Sequence, residues 1–158
     1  MTNYICINGK KAELTKEQLK ALGIELPKVS PFERVEKGDK YYIIDGSGHV
    51  FQAYEFKDSQ DDRAFNNGNY CTDKSIMEQR ALHETLNRLL WRYSMEHKAE
   101  SHSPCEIFYD CELKKWISCH LNRKCGYLSP RFDSKEIAEN AIEEIAKPFM
   151  ESHPNFKW

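Results

Sequence analysis

The longest regular alternation of apolar and polar positions runs from Thr72 to Met95 (TDKSIMEQRALHETLNRLLWRYSM). Leu82, Leu86, Leu89, Leu90 and Tyr93 recur at steps of four, three, one and three, so they share one face of a 3.6-residue helix. A helix of about 35 Å with that much apolar surface needs a platform, and the segments on either side of it read as strands. Before it, KYYIID and HVFQAYEF, within Asp39 to Phe56, are rich in aromatic and β-branched residues and flank Gly46-Ser47-Gly48, which predicts a hairpin. The polar stretch from Lys57 to Gly68 predicts a surface loop, Asn69 to Cys71 a short strand, and Thr72 the helix cap. After the helix, CEIFYD and KWISCHL predict a second pair of strands around a turn at Cys111 to Lys114, with a further turn at Asn122 to Lys124 and a third segment at GYL.

The same reading extends to both ends. Near the start, YICI and KKAEL flank Asn8-Gly9, the pair suited to a type I′ turn. Thr15 and Gln18 then form a capping box, Leu14 is placed to staple onto Leu19, and Gly23 ends a short helix. Ile24 to Lys37, with Pro27 and Pro31, reads as an extended connector. Near the end, Asp133 and Glu136 offer a capping pair for a helix from Ser134 to Lys147, with Ile137, Ala138, Ala141, Ile142 and Ile145 as its stripe and Pro148 as its stop or kink. The tail FMESHPNFKW is too apolar to stay free and is expected to dock on the body.

Two stretches then read as weak copies. Lys74, Ile76 and Glu78 match Lys135, Ile137 and Glu139 at constant spacing, each set following a Gly and Tyr pair and an antiparallel strand region. A hairpin has one apolar face that a helix can cover, so each ββα unit is half a core. The expectation is an α+β fold: one compact domain over 1–158, made of an N-terminal hairpin-helix and connector (1–35) and two ββα-like halves (36–97 and 103–158).

Composition narrows the class. At 158 residues, 40% apolar and 30% charged, the chain is a globular protein and not a disordered one. Its 23 basic and 25 acidic residues nearly balance, against the basic excess of a dedicated duplex-binding protein. MTNYICINGKK shows no secretory pattern and no apolar run is long enough to cross a bilayer, so the cytosol is expected, with the six cysteines as thiols.

Candidate chemistry changes the picture little. Cys105, Cys111, Cys119 and Cys125, with His102 and His120 near, invite a zinc site, but structural zinc ligands usually lie two to four residues apart on tight turns. Buried strand thiols are the simpler reading. Neighbours Cys119 and His120 point to opposite faces of a strand and cannot pair, and His83-Glu84 lacks the second histidine of a metalloprotease helix, since Asn87 stands there. The glutamates of the last helix, Glu136, Glu139, Glu143 and Glu144, read as a solvated face. The chain is expected to have no catalytic residue, metal or cofactor.

What remains is the polar side of the long helix. Arg80, Glu84, Asn87, Arg88 and Trp91 form one surface, with Arg92 beside it. Arginine and tryptophan carry many binding hot spots because each joins large contact area to a directional polar group. The plainer alternative is ordinary i,i+4 pairing on a solvated helix, with Trp91 in the core. The aromatic residues Tyr41, Tyr42, Phe51, Tyr54 and Phe56 suggest either a stacking platform or core packing.

Four segments carry a resemblance: INGKKAELTKEQLKALGIE, PFERVEKGDKYYII, NYCTDKSIMEQRALHETLNRLLWRYSMEH and EIAENAIEEIAKPFMESHPNFKW. Together they resemble a family of accessory proteins in phages and prophages of gut Firmicutes that has no assigned reaction. The resemblance implies a bacterial host cytosol and a host protein as partner, with a CRISPR or other defence nuclease foremost by analogy. The leading expectation is therefore an anti-CRISPR-like binding protein that inhibits such a nuclease through its helix and loop surfaces, or through an acidic patch at Asp58, Asp61 and Asp62 or on the last helix. A nucleic-acid-binding module on the Arg80 to Arg92 face, with Trp91 stacking on a base, is the alternative. A homo-oligomeric structural phage component is the third.

Overall fold

The computed structural model describes residues 4–7, 10–22, 30–99, 103–120 and 130–157. The chain separates into two compact units, 1–33 and 34–158. In the first, β1 (Tyr4–Ile7) pairs antiparallel with β2 (Lys10–Glu13) in a register that leaves two residues for the turn. Helix α1 (Lys16–Ala21) starts on the expected capping box: the Thr15 amide donates to Gln18 Oε1 at 2.9 Å and the Gln18 amide to Thr15 Oγ1 at 3.3 Å. The turn at Asn8-Gly9 and the helix stop at Gly23 lie outside the described residues, as does most of the connector.

The second unit contains two hairpins, β3 (Lys40–Ile44) with β4 (Val50–Tyr54) and β5 (Cys105–Asp110) with β6 (Lys115–His120), and one 23-residue helix, α3 (Lys74–Glu96), shared between them. Among the described residues every sheet is a two-stranded antiparallel ribbon, which confirms the α+β class. Alternation along the strands decides what each ribbon presents. Tyr42, Ile44 and Val50 stand on the face of the first hairpin that meets Met77 and Ala81 in the N-terminal half of α3. Cys105, Ile107 and Trp116 stand on the face of the second that meets Leu86, Leu90 and Tyr93 in the C-terminal half. The stripe read from the sequence is thus the core: Leu86, Leu90 and Tyr93 are buried, and Leu82 and Leu89 pack on them half-buried.

The two halves repeat in detail. In the first, Cys71 forms a single antiparallel bridge with Tyr42; in the second, Phe132 forms one with Cys105. Both bridging residues are fully buried and sit three positions before a helix that opens with a lysine, Lys74 and Lys135. Each lysine pairs with the glutamate one turn on, Glu78 at 2.9 Å and Glu139 at 3.4 Å, and Met77 and Ala81 in one half correspond to Ala138 and Ile142 in the other.

Several expectations are corrected. Asp73, not Thr72, caps α3, its carboxylate accepting from the amides of Ser75 and Ile76. Ser134, not Asp133, caps α4 (Lys135–Ala141). Residues 57–68 are not a loop throughout: α2 (Ser59–Asn66) forms there on a capping box of Asp58 and Asp61, and the absence of an apolar stripe hid it. The Asn69 to Cys71 strand is only the one bridge at Cys71. Pro148 does not stop the last helix. A π-helical turn, Ile142–Ala146, widens the backbone before it, and α5 (Lys147–Ser152) continues beyond. That turn relieves the clash a proline ring makes with the carbonyl four residues earlier.

The tail docks as expected. Phe156 is buried and packs edge-on against Phe149, ring centroids 5.6 Å apart, and near His83 at 4.7 Å. The Gln79 side chain holds the tail backbone at both ends, donating to Asn155 O at 2.8 Å and accepting from the Lys157 amide at 2.7 Å. No helix among the described residues is long and apolar enough to cross a membrane.

Because Leu86 is fully buried near the middle of the shared helix, Leu86→Ala is expected to destabilise the protein by about 3 kcal/mol. Urea unfolding monitored by circular dichroism checks this against Asn87→Ala on the open face, expected to cost under about 0.5 kcal/mol.

Candidate functional site

Residues of α3 that do not face the hairpins form two groups. Arg80 and Glu84 are structural struts. Arg80 Nε pairs with Glu84 Oε1 at 2.8 Å, and Arg80 Nη1 also donates to the carbonyl of Gly68, tying the helix to the turn that follows α2. Asn87, Arg88, Trp91 and Arg92 are exposed, and Met95 extends the patch toward the end of the helix. Trp91 is 59% exposed, so no described part of the chain takes it into a core.

Arg88 is positioned by the β3–β4 turn. Its Nη2 donates to Thr85 Oγ1 at 3.2 Å, and the Thr85 hydroxyl donates to Ala81 O at 2.8 Å. Gly48 in the turn has φ +95°, and a Cβ built there would come within 2.8 Å of Arg88 Nη2. A glycine is needed at that point both for the left-handed backbone and for room beside the guanidinium. Arg92 lies 4.0 Å from Glu96, an exposed pairing that screens part of its charge. The patch therefore offers an exposed indole between two arginines, with one of the three cationic residues of the sequence-predicted face spent on structure.

A polar cluster that sequence reasoning missed lies beneath α2. Glu55 is fully buried yet paired on every side: Arg34 Nη2 and Nε donate to its two oxygens at 2.9 and 3.2 Å, the Tyr70 hydroxyl donates at 2.8 Å and the Lys57 amide at 2.9 Å. Arg34 also reaches Asp62 at 2.6 Å. Buried Asp61 accepts from the Tyr41 hydroxyl at 2.5 Å and the Phe56 amide at 2.7 Å, and the Tyr41 and Tyr70 rings stack at 4.1 Å. The acidic patch expected at Asp58, Asp61 and Asp62 is thereby overturned: Asp61 faces inward, Asp62 is bound to Arg34, and Asp58 caps α2, whereas Glu136, Glu139, Glu143 and Glu144 of the last helix are exposed. Pairs such as Arg34 with Glu55, 21 residues apart, leave no local pattern to read.

The charges in this cluster are set by their partners. Arg34 holds the Glu55 carboxyl below its ordinary value. Burial works against ionising Asp61, but the Tyr41 hydroxyl and the Phe56 and Asp58 amides outweigh it and hold the carboxyl down at about 2. Burial and the hydrogen bond to Glu55 push the Tyr70 hydroxyl up to about 12. The buried polar atoms named are satisfied within the cluster, so it fixes the fold.

The other candidates disperse. Cys105 and His120 face each other across the second hairpin with Sγ 3.2 Å from Nδ1, but burial pushes the Cys105 thiol up and keeps it from being a nucleophile. Cys111 is at the exposed turn and Cys119 is on the opposite face of the hairpin from Cys105, so these three do not converge. Cys125 and His102 lie outside the described residues. His83 serves the tail, its Nε2 2.8 Å from Lys157 O. Of the supposed aromatic platform, Tyr41 is buried, and Phe51 and Tyr54 project from opposite faces of β4.

No protein-family model matches the chain, and no curated protein or solved structure is significantly similar to it.

The cluster makes a pH prediction. Carboxyls held below their unfolded values add stability that is complete above about pH 5 and is lost as pH falls through about 4 toward 2. The urea midpoint of the wild type should fall over that range, and Asp61→Asn should flatten the fall. Glu55→Ala, which strands Arg34 and the Tyr70 hydroxyl, is expected to cost about 2 kcal/mol or more at neutral pH.

Proposed function

We propose that the protein is a non-enzymatic phage accessory protein that binds and inhibits a host protein, foremost a bacterial defence nuclease, through the open face of α3. The observation that carries this reading is Trp91, 59% exposed on a rigid helix and flanked by Arg88 and Arg92. A large indole left in water on an ordered element costs free energy unless a partner covers it, and Trp with Arg is the pairing most often found at the centre of an interface. The setting in a host cell and the nuclease as partner rest on the resemblance to phage accessory proteins.

The electrostatics favour a protein partner over a nucleic acid. Arg80 is neutralised by Glu84 and tied to Gly68, and Arg92 sits near Glu96. Arg88 is then the one arginine of the face with no carboxylate pairing among the described residues, too little for the multiple phosphate contacts that give single-strand affinity.

Affinity purification from host lysate with the tagged chain is expected to recover a nuclease, and the purified pair to show loss of nuclease activity. Arg88→Glu and Trp91→Ala should each weaken the complex by about 2 kcal/mol, roughly thirtyfold, with unfolding midpoints unchanged. Recovery of no nuclease, or equal binding by both variants, would sink the proposal. Salt-sensitive binding of single-stranded DNA in a mobility-shift titration would favour the nucleic-acid reading instead.

A further inference from the structure

The first hairpin ends in a bare edge. One side of β3 is covered: the Tyr42 amide donates to Cys71 O at 2.7 Å and Tyr42 O accepts from the Cys71 amide at 3.2 Å, while the Asn69 side chain takes both the amide and the carbonyl of Ile44. In an antiparallel pair, residues that exchange backbone bonds with the neighbouring strand alternate with residues whose groups point away from it. Tyr42 and Ile44 point away from β4, so their partners Gln52 and Val50 point away from β3, as Tyr54 does opposite Lys40. The bonds beyond the strand ends keep that phase: the Asp45 amide donates to His49 O and the Glu55 amide to Asp39 O, each at 2.9 Å. The amides and carbonyls of Val50, Gln52 and Tyr54 therefore stand along the open side of β4, and none has a hydrogen-bond partner among the described residues.

An open edge usually carries a guard. Lysine, proline or a bulge on an edge strand keeps other chains from pairing with it. β4 is VFQAY, with no charged side chain, no proline and an unbroken register over its five residues. Its aromatic side chains are left in water, Phe51 at 45% exposure and Tyr54 at 51%. The strand is also complementary to itself. Turned about a two-fold axis at Gln52, Val50 meets Tyr54, Phe51 meets Ala53 and Gln52 meets its own copy. In that register the bonded pairs are Gln52 with Gln52 and Val50 with Tyr54, so every outward amide finds an outward carbonyl. Each aromatic side chain lies opposite a smaller one, and no like charges face each other.

We infer that β4 is a dimer edge: two copies of the chain pair antiparallel through it, joining their first hairpins into one continuous sheet with the two-fold axis at Gln52. The occupant is a second copy because the register that satisfies Val50, Gln52 and Tyr54 from both sides is the symmetric one, and because an uncharged strand can face itself without repulsion. A strand of five residues makes an interface at the small end of the specific range, so a dissociation constant of about 10 μM is expected. The pairing uses no residue of the open face of α3 and needs no host protein.

Sedimentation equilibrium of the full chain from about 1 to about 200 μM tests this, with a reversible shift from monomer to dimer expected. Gln52→Pro removes an outward amide that holds nothing within the chain, so it should keep the circular dichroism of the wild type and weaken the dimer by about tenfold or more. Gln52→Lys and Gln52→Glu each set like charges together at the axis and should each weaken it by about tenfold, whereas their equimolar mixture should dimerise at least as well as the wild type. In the wild type, exchange of the Val50, Gln52 and Tyr54 amides followed by NMR should slow by about fourfold between about 20 and about 500 μM protein. The inference is overturned by a chain that stays monomeric to about 200 μM, by a dimer indifferent to Gln52→Pro or lost in Trp91→Ala, by a mixture of the charged variants no better than either alone, or by amide exchange that ignores concentration.

Discussion

A two-stranded ribbon has no interior of its own, so each hairpin of this protein depends on a helix to cover its apolar face. α3 meets that need twice. Its N-terminal turns present Met77 and Ala81 to the first hairpin and its C-terminal turns present Leu86, Leu90 and Tyr93 to the second, where α4 and α5 close the other side. A helix of 23 residues is long enough to serve both because the two contacts follow one another along its axis. Having spent one stripe on two hairpins, it leaves the opposite stripe bare. The exposure of Arg88 and Trp91 is a consequence of that geometry.

The two halves settle their cores by different means. The second is apolar, with Phe132, Ala138, Ala141 and Phe149 drawn around the end of α3. The first has a small apolar cluster and adds the Arg34, Glu55, Asp61, Tyr41 and Tyr70 network on the far side of its hairpin. Such a network contributes only while every member is satisfied, and it is strict about geometry in a way that apolar contacts are not. It fixes α2 against the hairpin and places Asn69, whose side chain bridges the Ile44 amide and carbonyl at 2.9 and 2.8 Å, so that Cys71 arrives beside Tyr42. The N-terminus of α3 is set from there.

What the sequence made legible was what depends on local periodicity and local caps. The stripe of α3, the three hairpins and the Thr15 and Gln18 box are visible because their partners lie within a few residues. α2 was hidden because SQDDRAFN carries no stripe; its helix is fixed by the Asp58 cap and by Asp61 turning inward, which is a long-range fact about Tyr41. The same reason hid the acidic residues' true role, since an aspartate bound for a buried hydroxyl and one bound for solvent look alike in a string of letters. A stop or kink is expected at Pro148 because the rule for a proline in a helix assumes regular turns, and the π-helical turn removes that assumption.

The repeat was readable only as three matched letters, Lys74, Ile76 and Glu78 against Lys135, Ile137 and Glu139, yet the structure makes it a rule of construction: strand, strand, one bridge, capped helix. A unit repeated in one chain need not be used twice for the same end. In the first copy, Leu82 lines a groove whose other wall is the chain's own tail, and the neighbouring His83 meets Phe156. In the second, the corresponding positions are Glu143 and Glu144, and Trp116 takes the place of Gly48. Residues differ between the copies in core and groove alike, while the bridge, the capped helix start and the lysine–glutamate pair that hold each unit together are kept.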